Sequence, residues 1–253
     1  MTPMWHRISL ALSFLTVLHL PGRSKTPFAE EDLARSFAHF PTVGLLLGLA
    51  AALTAALLSP FLPSAVTAVW LLIVSVVLTR GLHLDGLADL ADALGGAFDH
   101  PTRLDIMKDS RIGTFGAVAL MLCLAAKAAA FKSLLDASQL APFVAIPALS
   151  RYAMAMVAFR IPYARASGGL GRPFIEHLSR KELTAAGFVA APAAFILLGF
   201  TAFAHFAAIL LIVLFFRRLA IRTLGGVTGD VLGASNEVAE TALYTLAAAL
   251  SPI

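Results

Sequence analysis

The sequence predicts an all-α, polytopic integral membrane protein of about seven transmembrane helices (six to eight), organised as a single membrane-embedded domain over residues 1–253. Composition is the first reason. The chain is 59% hydrophobic and only 13% charged, with mean hydropathy +0.85, as expected of a protein solvated by a lipid bilayer. The second reason is the alternation of long apolar runs with polar connections. The third is charge segregation: with seven spans, the N-terminus and three polar connections share one face, which carries sixteen of the nineteen basic residues. The positive-inside rule makes that face cytoplasmic. The net charge of +4 is no nucleic-acid signature, because the basic residues are dispersed among connections.

Residues 8–20 form an interfacial or short membrane-inserted helix; Pro21-Gly22-Arg23 offers no small-residue cleavage site. A polar stretch from Arg23 to His39 leads to a first span, Val43–Ser59, with a Gly44/Gly48 helix-packing pair. Pro60 and Pro63 mark a turn, and Ala65–Leu78 returns. Both runs are short against the ~20 residues a bilayer needs, so a re-entrant hairpin is the alternative. Further spans follow at Thr114–Phe131, Leu140–Phe159, Leu183–Gly199 and Ala202–Phe216, and a last apolar helix runs from Val238 to Leu250. Cys123, the single cysteine, excludes a disulfide within the chain and reads as packing.

The chemistry concentrates in Arg80–Gly116, which holds six of the fifteen carboxylates. Asp85, Asp89 and Asp92 stand at i, i+4 and i+7, one face of a helix. At ~2.5–3.5 kcal/mol per aspartate at the bilayer centre, three would cost about 7–10 kcal/mol, so this face lines water, protein or metal. Hard cations such as Mg²⁺ favour carboxylate oxygens and leave room for substrate phosphates. The plainer alternative is a solvated acidic connection. Gly95-Gly96 closes the helix. Downstream, Lys108-Asp109-Ser110-Arg111 precedes Gly113 and Gly116, where backbone can approach a ligand and a helix N-terminus suits phosphate. With no cysteine cluster, zinc is not expected.

Three further features add to this. In Gly225–Glu237, glycines around Asp230, including Gly229, permit close backbone approach, and Asp230 can complete a cation site; a flexible loop is the alternative. Arg151, inside an apolar run, is expected near phosphate, whereas Lys127 can snorkel from a helix end. Arg165 and Arg172, in a glycine-rich connection, are candidate substrate contacts, and His83 is the one histidine in an acidic cluster. With all polar groups on one side, an enzyme fits better than a transporter, which needs access from both faces.

HFPTVG at 39–44, GLHLDGLADLADAL at 81–94, IMKDSRIGTFG at 106–116, LSR at 149–151 and GGVTGDVLGASNE at 225–237 together resemble the adenosylcobinamide-GDP ribazoletransferase (cobalamin synthase) family. The resemblance implies a Mg²⁺-dependent transferase of the bacterial inner membrane that joins adenosylcobinamide-GDP to α-ribazole or its 5′-phosphate, releasing GMP. It implies metal at Asp85, Asp89, Asp92, Asp109 and Asp230, and phosphate or substrate at Lys108, Arg111, Arg151, Arg165, Arg172, Gly113 and Gly229. His83 or an aspartate, Asp85 or Asp89 among them, takes the proton. Expected partners are the two substrates and the lipid bilayer, with room for a homo-oligomer or other cobalamin-assembly enzymes. The alternatives are a CDP-alcohol phosphotransferase-like enzyme, against which Asp89 stands where that family has arginine, and a cation or metabolite transporter.

Overall fold

In the computed structural model, which describes residues 4–18, 30–165, 168–169 and 171–251, helix follows from the apolar runs almost throughout. The helices are α1 (Met4–Leu15), α2 (Glu30–Ser36), α3 (Phe40–Leu58), α4 (Ser64–Thr79), α5 (Leu82–Gly96), α6 (His100–Ile106), α7 (Thr114–Asp136), α8 (Ala141–Ala158), α9 (Arg172–Glu176), α10 (Arg180–Leu198), α11 (Ala202–Leu224) and α12 (Gly229–Leu250). Residues 19–20 of the N-terminal segment, Pro21–Arg23, Arg23 to Ala29 of the polar stretch, and residues 166, 167 and 170 of the glycine-rich connection lie outside the described residues.

Counted by length and apolarity alone, the spans fall below the expected seven. Four helical stretches are long and apolar enough to cross a membrane, Glu30–Leu58, Thr114–Asp136, Ala141–Ala158 and Arg180–Leu224, or five if the bent pair α4–α5 counts as one span. The last stretch contains both α10 and α11. Gly199, at φ 56 and ψ −136, breaks it, and both halves pack on α8, which at 18 residues is too short to pair with a straight continuation of both. The final helix is not an apolar span: α12 starts at Gly229 with Asp230 in its first turn and carries Glu237 and Glu240 inward. What read as a glycine-rich loop is helix from Gly229 onward. Thr228 caps it, accepting from Val231 N at 3.3 Å, and Asp230 favours its first turn. The N-terminal α1 has only 12 residues, about 18 Å of rise against a ~30 Å hydrocarbon core.

Helix α8 is the axis of the bundle, with 14 of its 18 residues buried. The tightest packing is against α3, where Gly44 and Gly48 let backbones touch: a Cβ at Gly44 would overlap the Pro147 carbonyl, and one at Gly48 would lie 2.6 Å from Val144 O. Pro147 lacks an N–H, so the Phe143 carbonyl one turn back is free to accept from Tyr244 Oη at 3.4 Å. Around this centre, Leu53 and Leu57 of α3, Met121 and Leu122 of α7, Ile196 of α10 and Leu211 of α11 point outward, a surface that lipid, not water, would wet.

The polar connections gather at one end. Val227 pairs with Tyr163 in a parallel bridge, with Ala164 N donating to Val227 O at 3.0 Å and Val227 N to Pro162 O at 2.9 Å. Arg103 donates to Thr223 O at 3.1 Å, and Arg217 closes the C-terminus of α8 through the carbonyls of Met156, Val157 and Phe159. Replacing Gly44 with valine is expected to separate α3 from α8, with thermal unfolding in detergent falling by several degrees; an unchanged midpoint would refute this packing account.

Candidate active site

The site starts from a backbone break. Arg80 (φ 55) and Gly81 (φ 66) are both left-handed, a conformation costly for arginine and free for glycine. They turn α5 by 91° from α4, so α5 lies across the end of the bundle, against the N-terminal ends of α12 and α7. Its Gly86 seats α12: a Cβ there would be 2.8 Å from Asp230 O. Gly233 answers from α12, where a Cβ would sit 3.2 Å from His83 Cα.

At the far end of α5, Asp92 accepts from Gly113 N at 2.7 Å and Gly116 N at 2.8 Å. It caps α7 from another helix, supplying the acceptors that the first turn lacks. Both glycines are needed for this approach, since Cβ atoms at either position would collide with the Asp92 carboxylate. The sequence reading put a phosphate at Gly113 and a metal on Asp92; the structure brings these two residues to each other.

Asp85, Asp89, Lys108, Asp109 and Arg111 line one open cleft of about 660 Å³, with Arg80 at its edge. Lys108 lies 3.0 Å from Asp105, and Arg111 chelates Asp109, with Nη2 to Oδ2 at 2.5 Å. Arg111 holds the Asp109 carboxyl down at about 2. Burial, then Asp85 and Asp230, push the Asp89 carboxyl up to about 7. Asp230, raised mainly by burial, pairs with Arg165 at 2.7 Å. Arg165 also donates to Met107 O at 3.2 Å, so one guanidinium ties together three connections distant in sequence.

A second cavity of about 270 Å³ opens on the other side of Asp85, reached by His83, Arg165, Gly229 and Asp230 and walled by Phe14, Phe37, Phe40, Tyr163 and Phe174. Asp85 thus belongs to both compartments. His83 is buried, neither ring nitrogen has a partner, and burial holds its pKa down to about 3, leaving a neutral imidazole.

Two expected substrate contacts lie elsewhere. Arg172, in α9, pairs with Glu176 at 2.9 Å. Arg151 is buried beneath α5, bound to Glu240 and to Ser150 Oγ at 3.2 Å. Lys127 completes that cluster, 2.6 Å from Glu237 and 2.8 Å from Glu240. Sequence reasoning reads Lys127 as snorkelling from a helix end. The available signal was arithmetic, two cations and two anions inside apolar surroundings, which must neutralise each other. Nothing in the sequence linked Phe14, Phe37, Phe40 and Phe174.

Among the described residues, no three His, Cys, Asp or Glu side chains converge as a ready-made metal cage. The donor set nevertheless fits Mg²⁺. Asp85 and Asp89 offer hard oxygens one turn apart beside an open cleft, and Mg²⁺ takes one or two carboxylates and fills its octahedron with water and substrate phosphate.

Known proteins resemble this chain along nearly its whole length. The family model described as cobalamin-5-phosphate synthase matches residues 7–248. A protein of Syntrophobacter fumaroxidans named adenosylcobinamide-GDP ribazoletransferase is 46% identical over 247 residues, covering 98% of this chain and 100% of the relative. Proteins with that name from Ectopseudomonas mendocina and Desulfitobacterium hafniense are 44% and 37% identical, covering 96% and 94% of this chain and 98% and 94% of their own. No solved structure matches.

Two measurements check the site's scaffolding. Gly116→Val is expected to expel the Asp92 cap, abolishing turnover while the helical signal persists; wild-type activity would contradict the capping role. Lys127→Met strands two buried carboxylates and is expected to cost ~3–5 kcal/mol, with much of the loss recovered in the triple change K127M/E237Q/E240Q, as read by chemical unfolding.

Proposed function

Because the chain belongs to the cobalamin-5-phosphate synthase family, we propose that it is the membrane transferase that joins adenosylcobinamide-GDP to α-ribazole or its 5′-phosphate. A hydroxyl of α-ribazole attacks the phosphorus on the corrinoid side of the diphosphate. The P–O bond to GMP breaks, GMP leaves with the bridging oxygen, and the hydroxyl proton passes to the enzyme. The product is adenosylcobalamin or its 5′-phosphate.

The observation that carries this reading is the position of Asp85 on the seam between a charged cleft and an aromatic cavity. A transferase that joins two unlike molecules needs two unlike compartments meeting at the reacting atoms. Lys108 and Arg111 give the open cleft cations for the diphosphate, and such chemistry is catalysed mainly by positioning and charge neutralisation. Asp85 and Asp89, with Asp230 or Asp109 alongside, would hold Mg²⁺. When bound, that ion neutralises the diphosphate and the departing GMP. A carboxylate of α5 that the ion leaves free, Asp85 or Asp89, takes the proton. The positive-inside rule, applied to the basic connections, supports a cytoplasmic position for this end of the bundle, with α5 on the inner face of the bacterial cytoplasmic membrane.

Purified protein in lipid, given adenosylcobinamide-GDP, α-ribazole and Mg²⁺, is expected to release one GMP per corrinoid product. Asp85→Asn should lower turnover by about 100-fold or more, and chelation should stop it. GMP release that ignores α-ribazole, or an Asp85→Asn enzyme of normal rate, would defeat the proposal.

A further inference from the structure

The aromatic cavity is where the structure goes furthest beyond the reaction. We infer that it is the acceptor-base site, taking the flat benzimidazole of α-ribazole while the sugar reaches the Asp85 seam; this rests on the proposed reaction. Size excludes the other large group. At about 270 Å³, the cavity lies just under the ~300–1,000 Å³ range of ligand pockets, room for a bicyclic base and part of a sugar but not for a corrin macrocycle.

The walls suit a planar apolar ring. Phe174 touches Phe14 (centroids 4.5 Å apart), Phe37 edge-on (5.7 Å) and Phe40 (6.0 Å), so the rings form one packed apolar wall, with Asp85, Arg165 and Asp230 among the other lining residues. Such rings hold a guest by stacked and edge contacts.

One polar group inside matches one polar atom on the guest. His83 has no hydrogen-bond partner at either ring nitrogen, although buried polar atoms are otherwise paired. A benzimidazole whose N1 bears the sugar has a single remaining ring nitrogen, an acceptor, which the His83 N–H can satisfy. Guanine, the other flat base in the reaction, presents several donors and acceptors. Seated base-first against the phenylalanine wall, it would leave most of them unpaired, a cost the benzimidazole avoids.

The cavity also ends in the right place. Gly229, Asp230 and Asp85 form its rim, so a nucleoside seated base-first presents its sugar hydroxyls toward the diphosphate cleft. A Cβ at Gly229 meets nothing within 4 Å, so a larger side chain there would occupy this space without disturbing the fold.

The test is binding, not turnover. Wild-type protein in nanodiscs is titrated with α-ribazole alone, read by benzimidazole fluorescence, and separately with GDP. Phe174→Ala and Gly229→Val are each expected to weaken α-ribazole binding by about tenfold or more while GDP binding changes less than about twofold. Phe174→Tyr should retain most of the affinity. Three results would overturn the inference: folded variants that bind α-ribazole as tightly as wild type, guanosine displacing α-ribazole competitively, or wild type that binds no α-ribazole. Normal GMP release with unchanged variants sinks the base site alone, whereas absent GMP release with the expected binding losses sinks the reaction and leaves the base site standing.

Discussion

The right-angle turn at Arg80-Gly81 sets the rest of the site. Laid across the bundle instead of continuing α4, a single fifteen-residue helix can do four things at once. His83 points into the body, Gly86 admits the backbone of α12, Asp92 finishes the first turn of α7, and Asp85 and Asp89 face the open cleft. A straight continuation of α4 would have carried the same aspartates out past the end of the bundle, away from α7 and α12. The break keeps them in reach of water and still anchored to two long helices.

Beneath α5, the bundle carries charge in a place that resists it. Lys127, Arg151, Glu237 and Glu240 come from α7, α8 and α12, all buried, and their formal charges cancel. Glu240 accepts from both cations, with Ser150 Oγ a further neighbour at 3.3 Å. Apolar substitutes would pack there at less cost in desolvation. What the ions add is direction: three helices are fixed in register at one depth, beneath the helix that carries Asp85 and Asp89.

Much of this was legible in the sequence because it is local. Helix extents followed from apolar runs, the i, i+4, i+7 aspartates from spacing, and the gathering of polar connections at one end from charge segregation. The span count failed where a run was apolar enough in its second half but charged in its first, as in α12. The role of Gly113 failed for a different reason. A glycine marks a close approach without naming what approaches, and here it is Asp92, more than twenty residues earlier in the chain. Arg151 read as a phosphate contact because its counter-ion, Glu240, lies on a helix no spacing rule connects to it. The aromatic cavity was invisible for the same reason, its walls coming from α1, α3, α9 and the turn between α2 and α3.

The one-ended gathering of the polar connections has a consequence for traffic. At the opposite end the helices are joined by brief turns, at residues 59–63, 137–140 and 199–201, which have no reach to hold a ligand. Under the proposed function, every molecule handled would therefore come and go through a single doorway at the polar end of the bundle. Departure of one guest and arrival of the next compete for the same few ångströms of surface, so crowding at that threshold would throttle entry and exit together.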